Sequence, residues 1–173
     1  MRLGPKMLNT ANRRLDWVPT IADITKPTPE ELNAGVNLTC RVTVANYQFG
    51  VTGTNIITDP SPCDTIEAGA PGMDTFEAGF DMFRFKEEAD DVAWTTFTRK
   101  GLPGYLVERI GQVEEGQKAE DAPYKAGDEV AVMEGLTLSP RPMSLDNAGY
   151  EKFRQEFAPQ SFAPRAVVAT AGG

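Results

Sequence analysis

The chain has 173 residues, with 17 Lys and Arg against 25 Asp and Glu, a formal charge of −8, two cysteines and no histidine. The missing histidine excludes Ser-His-Asp triads, Cys-His dyads and zinc sites with imidazole ligands. The acidic balance argues against a dedicated nucleic-acid binder, whose affinity rests on cations neutralising phosphates. One chain of this length is expected to form one domain with a sizeable core. No apolar run reaches the roughly 18 residues of a membrane-spanning helix. The basic N-terminus lacks the apolar centre of a secretory signal. The expectation is therefore a soluble protein with Cys40 and Cys63 as buried thiols, a bridge between them being the minority option.

In chain order, the first 41 residues hold six bases and four acids, a balance of +2, which leaves −10 for the remainder. Thr28-Pro29-Glu30-Glu31 carries a capping box with proline at the first helical position, and Gly35 stops the turn. From Val36 to Val44, Val36, Leu38, Cys40, Val42 and Val44 alternate with polar residues, the period of a strand with one wet face. From Val42 to Phe83 there are six acids, Asp59, Asp64, Glu67, Asp74, Glu77 and Asp81, and no base. Such a run makes a field that acts on partners.

Residues 46–72 form a long irregular stretch, read as an extended hairpin with Thr54 to Thr58 as one arm; Gly50 and Gly53 within it read as turn residues. Phe76, Ala78, Phe80 and Met82 then alternate with Glu77 and Asp81, predicting a strand with an acidic far face. Phe83 and Phe85 flank Arg84, a spacing that fits a stacking platform less well than packing against a neighbour. A helix is expected from about Glu88 to Lys100, with Val92, Ala93, Phe97 and Trp94 inward, acids in its first turn and bases in its last. Strands are predicted over Tyr105–Ile110 and Val130–Leu138, separated by a solvated charged loop at 113–127. A strand is preferred for Tyr150–Phe157, and the run from Arg165 to Thr170 reads as the last strand.

No constellation points to catalysis. Glu87, Glu88, Asp90 and Asp91 suit a helix start rather than a calcium site, and neither Glu114-Glu115 nor Glu120-Asp121 has metal-ligand spacing. Paired carboxylates could run glycoside hydrolysis without histidine. Trp17 and Trp94, however, stand far apart and read as core. No cofactor or metal site is expected. The outline is a mainly β domain, α+β with one flanking helix, that works through its surfaces.

Particular residues resemble a known family. Trp17-Val-Pro-Thr-Ile-Ala-Asp23, then Thr28-Pro-Glu-Glu-Leu-Asn-Ala-Gly35 leading into Leu38-Thr39-Cys40, resembles the N-terminal part of major tail proteins of phages with long non-contractile tails, most strongly those infecting actinobacteria. Gly104-Tyr-Leu-Val-Glu-Arg109, Gly127-Asp-Glu-Val130, Tyr150-Glu-Lys-Phe153 and Val167-Val168-Ala169 resemble its later segments in the same order.

The resemblance implies a tail tube protein: a β-sandwich or partial barrel with a flanking helix, long loops and extended termini, six copies to a ring, rings stacked into a hollow tube in the virion tail. It implies assembly in the host cytoplasm with itself, around a tape measure protein and closed by a tail terminator, with DNA passing through unbound and no membrane involved. The domain is then expected over 17–173, preceded by a basic arm over 1–16 that gains order on assembly. Since a bore that conducts DNA must repel phosphate, Glu77 and Asp81 are expected to face the lumen with Asp74 and Glu67 behind them; an acidic outer surface for solubility is the alternative. The hairpin, through Asn46, Tyr47, Phe49, Ile56 and Ile57, is expected to mediate ring stacking. Another virion or secretion subunit (a terminator, a connector, a pilin-like protein) is the second reading, and a histidine-free hydrolase the third.

Overall fold

The computed structural model describes Gly4, residues 6–143 and residues 149–170; Arg2 of the basic leader lies outside them. Among the described residues eight strands, β1 (Arg13–Val18), β2 (Val36–Asn37), β3 (Gln48–Thr58), β4 (Gly69–Phe83), β5 (Pro103–Ile110), β6 (Glu129–Thr137), β7 (Arg141–Pro142) and β8 (Lys152–Val167), form one antiparallel sheet, accompanied by short helices α1 (Pro29–Asn33) and α2 (Val92–Thr96). The order is β2-β1-β5-β6-β8-β4-β3, with β7 on the side of β8. The sheet does not close. The mainly β, sandwich-like expectation agrees with this architecture.

β8 is the seam. Its first half pairs with β4, Phe157 opposite Ala78 and Phe153 opposite Met82, while its second half pairs with β6, Ala166 opposite Val130. Sixteen residues in one strand replace the two separate segments expected around Phe153 and Val167. The sheet folds about this strand and encloses Leu15, Trp17, Leu38, Phe80, Met82, Leu106, Met133, Phe153 and Phe157, with Ala93 and Phe97 of the α2 segment closing the end. Trp17 meets Phe157 and Phe97 at 5.4 Å between ring centroids. Strand alternation gives β1 and β5 a second apolar face. There Val18 and Val107 pack with Ile21, Leu32, Tyr124, Val130 and Val132 under α1 and the 113–127 loop.

The capping box forms as the sequence predicts. Glu31 N donates to Thr28 Oγ1 at 3.3 Å, and Thr28 N donates to Glu31 Oε2 at 2.8 Å. Other expectations are corrected. The alternating run from Val36 stops being a strand at Asn37, because the Asn37 side chain accepts from Thr39 N and turns the chain into a 3-10 turn over Thr39–Arg41. The chain thereby crosses from the β1 edge to the β4 edge, where Val42 bridges Met82. Leu38 is fully buried, whereas Cys40 and Val44 are exposed.

The helix expected over 88–100 shrinks to Val92–Thr96. The Asp91 carboxylate is spent on Arg84 Nε and Phe85 N instead of capping, and Phe97 already leaves helical geometry. Gly50 and Gly53 lie inside β3 and mark no turn: Gly50 pairs with Glu77, and Gly53 follows a bulge where the register with β4 shifts after Val51. Both cysteines are free and exposed rather than buried. The sequence reading starts the domain at Trp17, but β1 opens at Arg13 and pairs with β5 along its whole length.

Candidate assembly surfaces

β3 and β4 leave the body together as a two-stranded ribbon. Beyond Val51 every residue of β3 is exposed, and from Met73 back to Gly69 β4 is nearly all exposed as well. The extended hairpin expected over 46–72, with Thr54 to Thr58 in one arm, forms as paired strand, and residues 59–68 make its end loop. A pair of strands with both faces in water lacks the packing that normally stabilises it. Yet it carries Val51, Ile56, Ile57 and Met73, with Ile66 in the loop, all exposed on its two faces. Large apolar side chains gathered on one exposed element mark an interaction surface. Among the expected ring-stacking residues, Ile56 and Ile57 stand out on the ribbon. Asn46, Tyr47 and Phe49 sit at its root instead.

That root is firmly built. Tyr47 meets Phe80 edge-on at 4.9 Å between ring centroids and donates its hydroxyl to Glu108 Oε2 at 2.8 Å, where Arg13 Nη1 also reaches both carboxylate oxygens at 2.8 Å. Burial, reinforced by the Glu108 charge, pushes the Tyr47 hydroxyl far above its ordinary range. Phe49 and Phe76 both lean on Phe162. On the opposite face, Arg154 Nη1 donates to Asp81 Oδ1 at 3.1 Å and to the Asn46 carbonyl at 2.8 Å, while Nη2 donates to Gln48 Oε1 at 2.7 Å. Asn46 holds a left-handed φ of 57°, a conformation asparagine tolerates, and its amide donates to Asp81 Oδ2.

The four expected lumen carboxylates do not share one surface. Glu77 and Asp81 project from the face of β4 turned away from the core, and Glu77 is exposed. Asp81 is 3% exposed and neutralised by Arg154, so the wet acidic face ends before it. Asp74 lies on the other face of the strand, accepting from Thr54 Oγ1 at 2.5 Å. Glu67 stands in the end loop.

Sequence reasoning missed a buried polar cluster on the outer layer. Arg14 Nε donates to Asp16 Oδ2 at 2.7 Å, and Tyr124 Oη donates to the same oxygen at 2.6 Å. Both Arg14 and Arg109 lie over the Tyr124 ring, at 4.6 and 4.9 Å from its centroid. Arg109 donates to the carbonyls of Ala119, Ala122 and Pro123 and to Asp128. These bonds tie down the 113–127 segment, which is charged on its outside but buries Ala119, Ala122 and Tyr124 beneath. The signal was present as bases on both sides of apolar strand residues, at Arg14 and Arg109.

At the far end of β4 from the ribbon tip, Cys40, Phe83, Arg84, Phe85, Lys86, Tyr150 and Glu151 line an open, largely apolar groove of about 800 Å³. Phe83 meets Tyr150 edge-on at 6.0 Å, and Arg84 lies 4.0 Å above Trp94 while pairing with Asp91. The aromatics flanking Arg84 thus form a wall of this groove. Among the described residues no helix is long and apolar enough to cross a membrane.

Comparison with known proteins gives one family match: a family model described as phage tail tube protein matches residues 1–172. No curated protein matches the chain.

Proposed function

The chain belongs to the phage tail tube protein family, and from that membership we propose that six copies close into a ring and that rings stack into a tube with an acidic bore for DNA. It is a structural component of the virion tail that self-assembles and associates with other tail components, and it is not an enzyme. The hydrolase reading is thereby set aside.

The observation that carries the stacking role is the ribbon. A strand pair whose outer half packs on nothing in its own subunit, yet exposes Val51, Ile56, Ile57 and Met73, acquires its burial from another copy. β3 is also an edge strand of the open sheet, which leaves its outer backbone groups available for pairing within a ring.

The acidic lining narrows to fewer residues than the sequence suggested. Glu77 is the carboxylate assigned to the bore, while Glu67 stands in the ribbon end loop. Asp74 is engaged by Thr54 on the opposite ribbon face, and Asp81 serves the ribbon root. Carboxylates without compensating bases repel phosphate, whereas a lysine-lined bore would retain DNA by counterion release. A tape measure protein inside the tube and a terminator at its end complete the proposal, with assembly in the host cytoplasm. Negative-stain microscopy of a ribbon-deleted chain tests the stacking role: isolated rings support it, and tubes of normal length refute it.

A further inference from the structure

The ribbon tip and the aromatic groove lie at opposite ends of one long strand. β4 runs fifteen residues from Gly69, at the ribbon tip, to Phe83, in the groove wall. At the rise of an extended strand this is about 48 Å, too far for a ribbon to fold back onto the groove of its own subunit. Two different patches at opposite poles can be satisfied together only by a head-to-tail contact, which extends along an axis instead of closing on itself.

Resting on the tube reading above, we propose that the groove lined by Cys40, Phe83, Phe85, Lys86 and Tyr150 receives the ribbon end loop of a second copy in the next ring. The chemistry of the two surfaces matches. The tip offers exposed Ile56, Ile57 and Ile66, and its charges are Asp59, Asp64 and Glu67 with no base. The groove offers exposed Phe85 and Tyr150, with Lys86 as its exposed base and Glu151 as an acid among its lining residues; Arg84 also lines it, with its charge held by Asp91. Apolar residues flanked by acids therefore meet exposed aromatics beside Lys86, whereas two copies placed tip to tip would oppose acid with acid.

Each surface also carries one exposed thiol, Cys63 in the end loop and Cys40 in the groove. Seating the loop in the groove brings Cys63 of one copy to Cys40 of the next. The test is oxidation of the full-length protein, at assembling concentration, with diamide, which takes up the two electrons and two protons released as the disulfide forms.

The expected result is a ladder of multimers on a non-reducing gel, a Cys40–Cys63 linked peptide by mass spectrometry, and loss of every band above monomer in either C40S or C63S. A K86E variant should weaken the ladder several-fold. Tubes that form normally but never yield the linked peptide overturn the groove assignment and leave the tube reading standing. Dimers that survive in C40S show a tip-to-tip contact and overturn the head-to-tail arrangement. A chain that stays monomeric at every concentration and gives no link overturns both.

Discussion

Asp81 on β4 and Arg154 on β8 are cross-strand partners, and their side chains meet at 3.1 Å on the face of the sheet turned away from the core. The same guanidinium holds the Asn46 carbonyl and Gln48, the residues through which the chain enters the ribbon. Gly79 makes this possible, because a Cβ there would stand 2.7 Å from Arg154 Nη2. One ion pair thus joins the seam strand β8, its neighbour β4 and the ribbon root.

Arg154→Ala leaves the Asp81 carboxylate buried without its counter-charge. Breaking a buried pair in this way costs about 3 kcal/mol or somewhat more. Urea unfolding should show that loss, and amide exchange should quicken along Gln48–Thr58 more than along β1. A midpoint unchanged from the parent chain would mean that the pair is dispensable.

Gly104→Ala should destabilise through crowding. A Cβ at Gly104 would lie 2.2 Å from Trp17 Cζ2, and the indole is wedged against Phe97 and Phe157. Overpacking of this kind costs about 1–3 kcal/mol. Thermal unfolding of the variant checks it.

Alkaline pH should weaken the fold through two tyrosines. Burial, with Glu108 beside one hydroxyl and Asp16 beside the other, raises Tyr47 and Tyr124 above their ordinary 10.0. The folded state keeps both protonated while the unfolded chain ionises, so their contribution is intact below pH 10 and is lost as pH rises above it. Each contributes a slope of up to about 1.4 kcal/mol per pH unit. Urea midpoints measured from pH 9 to 11.5 should fall, and Tyr124→Phe should fall less steeply after an initial loss of about 2 kcal/mol for its bond to Asp16.

Paired substitution of Ile56→Asp and Ile57→Asp should separate assembly from folding. Both side chains are more than half exposed in the single chain, so stability should change by no more than about 0.5 kcal/mol. Tube length by electron microscopy should drop sharply. Glu77→Lys, by contrast, should leave tubes intact but make them retain added DNA at low salt and release it at high salt.

What the sequence disclosed depended on how locally each feature is determined. The capping box at Thr28 is written in four adjacent residues and was legible, as were the strands containing Leu106 and Phe80, whose alternation faces a real core on at least one side. The run from Val36 to Val44 carried the same alternation and misled, because its apolar residues serve different places: Leu38 enters the core, while Val44 faces solvent. Asn37 and Arg41 turn the chain there through bonds to nearby backbone groups that no periodicity reveals. The base-free run was equally visible as composition. Its residue roles were not, since pairing of Asp81 with Arg154 brings together positions 73 apart.

The tube itself is the central claim, and cryo-electron microscopy of the purified full-length chain at high concentration tests it most directly. Hollow tubes of stacked six-membered rings, with Glu77 facing the bore and each β3–β4 ribbon reaching the next ring, are the predicted result. Single subunits at every concentration, or tubes with Glu77 on the outside and the ribbons free in solvent, would contradict it.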